Sequence, residues 1–191
     1  TTRDSLDSIL KYYGREIVLI DTAGLRKKKR VEESIEFFST IRSLKAIGEC
    51  DVVVVVLDAQ SGIEKQDQKI IEEAVRWRKG IVLAVNKWDL IEKETNTAKE
   101  YEKNVRDKAG SIDFFPVIFI SALTKQRIYK LIDLCITISD DRKRKILTSE
   151  LNEVLLPEIS RNPPASTHTG KEVKIKYITQ VGDHYPIFLF F

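Results

Sequence analysis

The chain has 191 residues, of which 42% are hydrophobic and 32% are charged, a composition that suits one folded domain with part of a second. Its net charge of +3 is too small to indicate nucleic-acid binding by itself. The two cysteines and two histidines are isolated and lack metal-ligand spacing, and the longest aliphatic run, residues 52–57, is too short to cross a bilayer. We therefore expect a cytoplasmic protein in a reducing compartment, monomeric and without membrane attachment.

The first predicted element is a hairpin of residues 5–13 and 16–20 that turns at Gly14. Its second strand ends in the apolar run Ile17–Ile20, which is typical of a strand buried on both faces. Four polar or small residues follow at once: Asp21, Thr22, Ala23 and Gly24. At the carboxyl edge of a sheet, such a carboxylate and glycine can hold a metal ion and let a phosphate reach the backbone.

Strands and helices then alternate at the spacing of βαβ units, which predicts a doubly wound, mostly parallel α/β sheet. The hydrophobic pattern predicts helices over residues 34–47, 65–79, 95–109 and 125–138, and strands over residues 51–57, 81–85 and 115–120. These three strands end in polar residues, Asp58, Asn86 and Ser121. We expect the three side chains to lie along one edge of the sheet, where ligands bind.

A change of composition predicts a second module. Residues 1–140 form the first domain, residues 141–147 a charged linker, and residues 148–191 a partial α+β module. Thr148 is a candidate N-cap for a helix that runs through about residue 159. Alternating and apolar segments at residues 171–180 and 186–191 predict two strands.

The tetrapeptide from Asn86 to Asp89 follows a predicted buried strand. The carboxylate of Asp89 can accept two parallel hydrogen bonds from the ring N–H and exocyclic amine of guanine, a donor pair that adenine lacks. Each charge-assisted bond contributes about 1.5–3 kcal/mol, and loss of the pair can reject the wrong base by about 10⁴-fold. Asn86 can bind the base edge and brace a neighbouring loop, and Lys87 can lay its stem along the base or sugar. The alternative is a strand-to-helix turn with polar caps; we expect Trp88 to pack at the pocket wall.

Three loops together resemble those of translation-factor-type GTPases: residues 21–24, residues 86–89, and Ser121, Ala122 and Leu123. Residues 1–4 resemble the first switch loop. More narrowly, residues 58–67 together with residues 24–27 resemble the EngA (Der) family of bacterial GTPases, at the second GTPase domain and the start of the C-terminal KH-like domain. The resemblance implies a P-loop NTPase-type fold followed by a partial KH-like module.

The resemblance also implies roles for individual residues. Thr2 and Asp21 would hold Mg²⁺, and the Gly24 N–H would contact the γ-phosphate, with Thr22 and Ala23 completing that loop. Guanine would be read by Asn86, Lys87 and Asp89, with support from residues 121–123. The implied function is hydrolysis of GTP to GDP and phosphate in biogenesis of the large ribosomal subunit. The alternatives are a non-catalytic, nucleotide-sensing adaptor that binds RNA or protein and, less consistent with the sequence, a tRNA-modifying GTPase.

Three further features shape these expectations. Leu25 follows Gly24 where Ras-like enzymes place a water-orienting Gln, so we expect slow turnover that K⁺ or the ribosome stimulates. Five basic residues at positions 26–30 predict a solvated loop, with contact to rRNA phosphates as the alternative. The 191 residues contain no Gly-x-x-x-x-Gly-Lys-Ser/Thr segment. Because the strand before such a loop lies mid-sheet in this fold, we expect a gap with two exposed edges and weak GTP binding by these residues alone.

Overall fold

A computed structural model describes residues 7–20, 45–109, 114–166, 170, 172–182 and 185–191. The chain divides into two compact units, Thr1–Ile138 and Ser139–Phe191. The helix predicted at residues 34–47 falls mostly outside the described residues, although residues 45–49 are helical. The basic segment at residues 26–30 also lies outside them.

The predicted hairpin is confirmed. Strand β1 (Ser8–Tyr12) pairs antiparallel with β2 (Arg15–Leu19), and Tyr12 lies opposite Arg15 in the register. The two residues between the strands, Tyr13 and Gly14, have φ angles of +46° and +74°. Positive φ at both positions is one of the two loop conformations that match the twist of the strands, and glycine adopts it without strain.

The prediction that β2 is buried on both faces is wrong. Val18 is 56% exposed and Leu19 is 49% exposed. Among the described strands, β2 pairs only with β1. An apolar run indicates that a segment is suited to burial. Burial also requires a neighbouring strand and a covering layer, and the sequence of the run does not show whether either is present.

The centre of the first unit is a parallel sheet with the order β3-β4-β5. Its strands are β3 (Val52–Asp58), β4 (Gly80–Asn86) and β5 (Val117–Phe119). The central strand β4 is buried along nearly all of its length. This burial follows from an uninterrupted apolar sequence with a strand on each side, as expected for a parallel sheet covered on both faces.

Helices cover both faces of this sheet, which confirms the predicted doubly wound architecture. The helices are α1 (Lys65–Arg76), α2 (Thr97–Ala109) and α3 (Ile128–Lys143). Ile71 of α1 and Val105 of α2 pack with the side chains of one face of the sheet. Leu131 and Leu134 of α3 pack against the other face. Helix α3 was predicted to end at residue 138 and continues to Lys143, so it includes the first three residues of the expected linker.

Strand β3 has an unprotected edge within the described part of the chain. It pairs with β4 on one side, and its side chains alternate between buried Val55 and Leu57 and exposed Val54 and Val56. The hairpin β1-β2 forms a separate sheet and does not extend this one. Within the described residues, the hairpin and β3 therefore belong to separate sheets, and the gap expected between them stays a prediction.

The second unit contains α4 (Thr148–Arg161) and an antiparallel pair, β6 (Ile178–Val181) with β7 (Ile187–Phe190). Asn152 of α4 bonds both backbone groups of Ile178: its Oδ1 accepts the N–H at 2.8 Å, and its Nδ2 donates to the carbonyl at 2.6 Å. Leu147 occupies the N-cap position of α4 without a side-chain hydrogen bond, so the prediction of Thr148 as the cap is wrong. The helix begins one residue earlier than it would if Thr148 were its N-cap, so Thr148 is its first helical residue.

Candidate functional site

The ends of β3, β4 and β5 bring three loops to one edge of the sheet. Asp58 and Asn86 are register partners, and the Ala59 N–H donates to the Asn86 carbonyl at 2.9 Å beyond them. The Trp88 N–H donates to the Ile120 carbonyl at 3.1 Å, which ties the loop after β4 to the end of β5. The polar strand ends singled out in the sequence are therefore neighbours.

The loop after β4 packs on a cluster of aromatic side chains. Lys87 has a left-handed backbone, with φ +62° and ψ +31°, and a short 3₁₀ helix, Trp88–Leu90, follows it. Trp88 is buried; its ring lies 4.2 Å from that of Phe119 and 5.3 Å, edge on, from that of Tyr101, measured between centroids. The expected packing role of Trp88 is confirmed. A left-handed non-glycine residue costs about 1–3 kcal/mol, and this packing can offset that cost.

Asn86 joins this loop to the one after β5. Its Oδ1 accepts a hydrogen bond from the Ala122 N–H at 2.9 Å, which is the bracing contact expected of it. Ser121 is fully buried, and its Oγ accepts the Thr124 N–H at 3.1 Å. Leu123 is 85% exposed, so the structure brings Asn86, Ser121 and Ala122 together and leaves the Leu123 side chain at the surface.

Asp89 carries a buried atom without a partner. Within the described part of the structure, its Oδ1 is inaccessible to solvent and accepts no hydrogen bond. An unsatisfied buried acceptor costs about 1–3 kcal/mol, and more when the group is charged. A ligand that donates two adjacent N–H groups would remove this cost when the groups that cover Oδ1 move aside, because a carboxylate can accept two parallel hydrogen bonds.

Asp58 and Lys87 form an ion pair. The sequence analysis named both residues but did not predict that they contact each other. The Lys87 Nζ lies 2.6 Å from the Asp58 Oδ2, and the side chains are 51% and 10% exposed, respectively. The Asp58 Oδ1 accepts the Gln60 N–H at 3.0 Å. The sequence does show an acidic residue at the end of β3, beside the strand that leads to Asn86 and Lys87. Prediction of the ion pair would also have required the register of the two strands.

Tyr101 supports the loop after β3. Its hydroxyl donates to the Ala59 carbonyl at 3.0 Å. Burial, and to a smaller degree the charge of Asp58, raises the pKa of this hydroxyl above its usual value. The hydroxyl therefore stays protonated at neutral pH and remains a donor.

The phosphate and metal half of the expected site is not among the described residues. Thr2, Asp21, Thr22, Ala23 and Gly24 all lie outside them. Within the described ranges, no three His, Cys, Asp or Glu side chains are grouped so that they could hold a metal ion. The described geometry thus concerns the part of the site that would bind a base.

Two family models match the chain. Residues 2–141 match the elongation factor Tu GTP binding domain. Residues 145–191 match the KH-domain-like C-terminal domain of EngA bacterial GTPase enzymes. None of the helices in the described ranges has the length and apolarity needed to cross a membrane.

The chain is similar to curated proteins over its whole length. It is 54% identical over 191 residues to GTPase Der of Chlorobium phaeobacteroides (strain BS1) and 51% identical over 188 residues to GTPase Der of Chloroherpeton thalassium (strain ATCC 35110 / GB-78). These alignments cover 100% and 98% of this chain, but 44% and 43% of the relatives. The chain therefore spans less than half the length of the curated relatives it matches.

Solved structures share the fold at low identity. Era in complex with MgGDPNP and nucleotides 1506–1542 of 16S ribosomal RNA superimposes with a TM-score of 0.61 and 19% identity, covering 97% of this chain and 64% of that one. Elongation factor SelB from Methanococcus maripaludis, in complex with the GTP analogue GppNHp, gives a TM-score of 0.58 and 22% identity, covering 77% and 30%. At these identities the likeness concerns the fold alone.

Proposed function

Because this chain belongs to the family of elongation factor Tu GTP binding domains, we propose that it binds guanine nucleotides and hydrolyses GTP to GDP and phosphate. The similarity to GTPase Der along the whole chain, and the matching C-terminal family model, confirm the resemblance to the EngA (Der) family. The observation that carries the proposal is the buried Asp89 Oδ1, which accepts no hydrogen bond within the described residues.

Guanine satisfies Asp89 and adenine does not. Guanine presents a ring N–H and an exocyclic amine side by side, so each can donate to one oxygen of the Asp89 carboxylate. Adenine offers no such pair and would leave the buried oxygen without a partner. Since a site built for a hydrogen-bonding group rejects an analogue that lacks it by about 10⁴-fold, Asp89 alone can account for the choice of base.

The neighbouring residues hold the two base-binding loops in place. The hydrogen bond from the Ala122 N–H to the Asn86 Oδ1 fixes the loops after β4 and β5 relative to each other. The buried Ser121 holds its own loop through the Thr124 N–H. We propose that Asn86 and Lys87 contact the base or sugar, and that residues 121–123 line the opposite side of the base.

The phosphates would lie toward the segment at residues 21–24. We propose that Thr2 and Asp21 hold Mg²⁺ and that the Gly24 N–H contacts the γ-phosphate. When bound, the ion supplies neutralisation of phosphate charge. The contribution of the described residues is to orient the base, and through it the nucleotide, at the carboxyl edge of the sheet.

We further propose that turnover is slow and is stimulated by K⁺ or by the ribosome. Leu25 offers no hydrogen bond to an attacking water, so this chain must obtain water positioning from another group. Steady-state phosphate release in K⁺ and in Na⁺ buffers, with and without ribosomes, measures this dependence. Equal rates in all four conditions would contradict it.

The cellular role we propose is in biogenesis of the large ribosomal subunit. It is supported by similarity to proteins named GTPase Der and by the KH-like model over residues 145–191. Cosedimentation with purified large and small subunits, in the presence of a GTP analogue or GDP, tests it. We expect binding to the large subunit that differs between the GTP analogue and GDP; equal binding with the two nucleotides would contradict this role.

Competition among three diphosphates tests the nucleotide site itself. Calorimetric titration at high nucleotide concentration should rank GDP above IDP, which lacks the exocyclic amine, and IDP above ADP. Loss of one charge-assisted hydrogen bond should weaken IDP by about 10-fold or more relative to GDP. Equal binding of GDP and ADP would overturn the proposed function.

A further inference from the structure

The ammonium of Lys87 lies 2.6 Å from the Asp58 Oδ2, and this ion pair joins the ends of two neighbouring strands. We propose that Asp58 is a positioning residue of the nucleotide site, which holds the Lys87 side chain in place before a guanine nucleotide arrives. The inference rests on the function proposed above, because it assigns a role within the same site.

The Asp58 carboxylate is itself held in one orientation. Its Oδ1 accepts the Gln60 N–H at 3.0 Å, and its backbone carbonyl accepts the N–H groups of Ser61 and Gly62 at 3.1 and 2.8 Å. Gly62 has a φ of +72°, which closes this turn. One carboxylate oxygen is thus used by the turn, and the other is directed to Lys87.

Lys87 needs such an anchor. Its side chain is 51% exposed, and a long, exposed lysine side chain otherwise samples many rotamers. Its backbone is already fixed in the left-handed region between Asn86 and the buried Trp88. With the ammonium bound to Asp58, both ends of the side chain are fixed, so little freedom remains to be lost when a base or ribose packs along its stem.

A purely structural role for the pair makes different predictions. If Lys87 only neutralises the buried Asp58, the charge pair contributes to folding stability, and nucleotide affinity does not depend on Asp58 once the variant is folded. Asp58→Asn separates the two roles, because asparagine retains an oxygen for the Gln60 N–H while it loses the charge that binds Lys87.

The experiment compares GDP affinity in the wild-type chain, Asp58→Asn, Lys87→Gln and the double variant, with thermal unfolding measured for each. Asp107→Asn, on the exposed surface of α2, is the control. We expect Asp58→Asn to weaken GDP binding by about 3- to 10-fold, the cost of ordering one long side chain on binding. The double variant should bind within about 2-fold of Lys87→Gln, because Asp58 acts only through that lysine. The ratio of GDP to XDP affinity should not change.

Wild-type affinity in Asp58→Asn, or losses that multiply in the double variant, would overturn the inference and leave the proposed function intact. Failure of the wild-type chain to prefer GDP over ADP would overturn the proposed function and this inference with it.

A second measurement uses the wild-type chain alone, without nucleotide and without any substitution. Side-chain ¹⁵N relaxation of the wild-type chain reports the order of each lysine ammonium. We expect the ammonium group of Lys87 to be clearly more ordered than the ammonium group of Lys99, an exposed lysine of α2. Equal mobility of the two would overturn the inference.

Discussion

The Oδ1 atom of Asn86 accepts a hydrogen bond from the backbone N–H of Ala122 at 2.9 Å. One side chain thereby links the loops that follow β4 and β5, although 36 residues separate the two partners in sequence. The two loops that would enclose a base are therefore fixed to each other as well as to their own strands.

Replacement of Asn86 by alanine should therefore weaken both the fold and the site. Loss of this hydrogen bond should lower the free energy of unfolding by about 1 kcal/mol, and GDP affinity should fall because the loop at residues 121–123 is no longer held. Urea unfolding and calorimetric titration measure the two effects. Asn104→Ala, at an exposed position of α2, is the control; if Asn86→Ala matched it in both measurements, the brace would have no role.

Substitution of Trp88 should lower the stability of the first unit more than substitution of most other residues. It is buried and packs on Tyr101 and Phe119. Replacement of a buried aromatic residue by alanine costs about 3–5 kcal/mol, so Trp88→Ala should lower the urea midpoint strongly. Trp77, which is about half exposed, gives the matched variant Trp77→Ala with a much smaller effect. Similar losses for the two variants would contradict the described packing.

The same substitution at adjacent positions of β3 should change the free energy of unfolding by very different amounts. Val55→Thr places a hydroxyl in the core and should cost about 1–3 kcal/mol. Val56→Thr places it on the exposed face at the sheet edge and should change stability by about 0.5 kcal/mol or less. Both values come from chemical unfolding. A large loss for Val56→Thr would show that this face is covered in solution.

Much of this arrangement could be predicted from the sequence because each strand ends abruptly in a polar residue. The common edge of Asp58, Asn86 and Ser121 follows from parallel topology, and the Asn86 brace follows from its position. The ion pair of Asp58 with Lys87 could not be predicted, because it depends on strand register and on the left-handed backbone at Lys87.

The errors have physical causes of the same kind. The apolar run of residues 17–20 is suited to burial, but among the described residues β2 pairs only with β1, and Val18 and Leu19 are exposed. The helix predicted to end at residue 138 continues as α3 to Lys143, because the charged residues that follow also have good helix propensity. Composition identifies solvent exposure there but not the point where a helix ends.

The contact between β1 and α3 should weaken at high pH. The Tyr12 hydroxyl donates to the Asp133 Oδ1 at 2.9 Å, and the two rings of Tyr12 and Tyr129 are stacked with centroids 6.1 Å apart. Burial, the hydrogen bond to Asp133 and the charge of that carboxylate raise the pKa of Tyr12 from 10.0 to about 12. Because the folded-state pKa is raised, this contribution to stability is complete below pH 10 and is lost as the pH rises through 12.

NMR of ¹³Cζ-labelled tyrosine can follow this titration. We expect the Tyr12 signal to have a midpoint near pH 12 in the wild-type chain and a lower midpoint in Asp133→Asn, where the negative charge is absent. An unchanged Tyr12 midpoint in Asp133→Asn would show that the carboxylate does not hold the phenol.

The most direct test of the whole account is the base preference of Asp89→Asn. An asparagine amide can donate to the C2 carbonyl of xanthine and accept from its ring N–H, whereas it loses one of the two bonds to guanine. Competition titrations should show that the wild-type chain and Asp107→Asn prefer GDP over XDP, and that Asp89→Asn prefers XDP, with a change in the affinity ratio of about 10²-fold or more. An unchanged preference for GDP in Asp89→Asn would contradict the assignment of this carboxylate as the group that selects guanine.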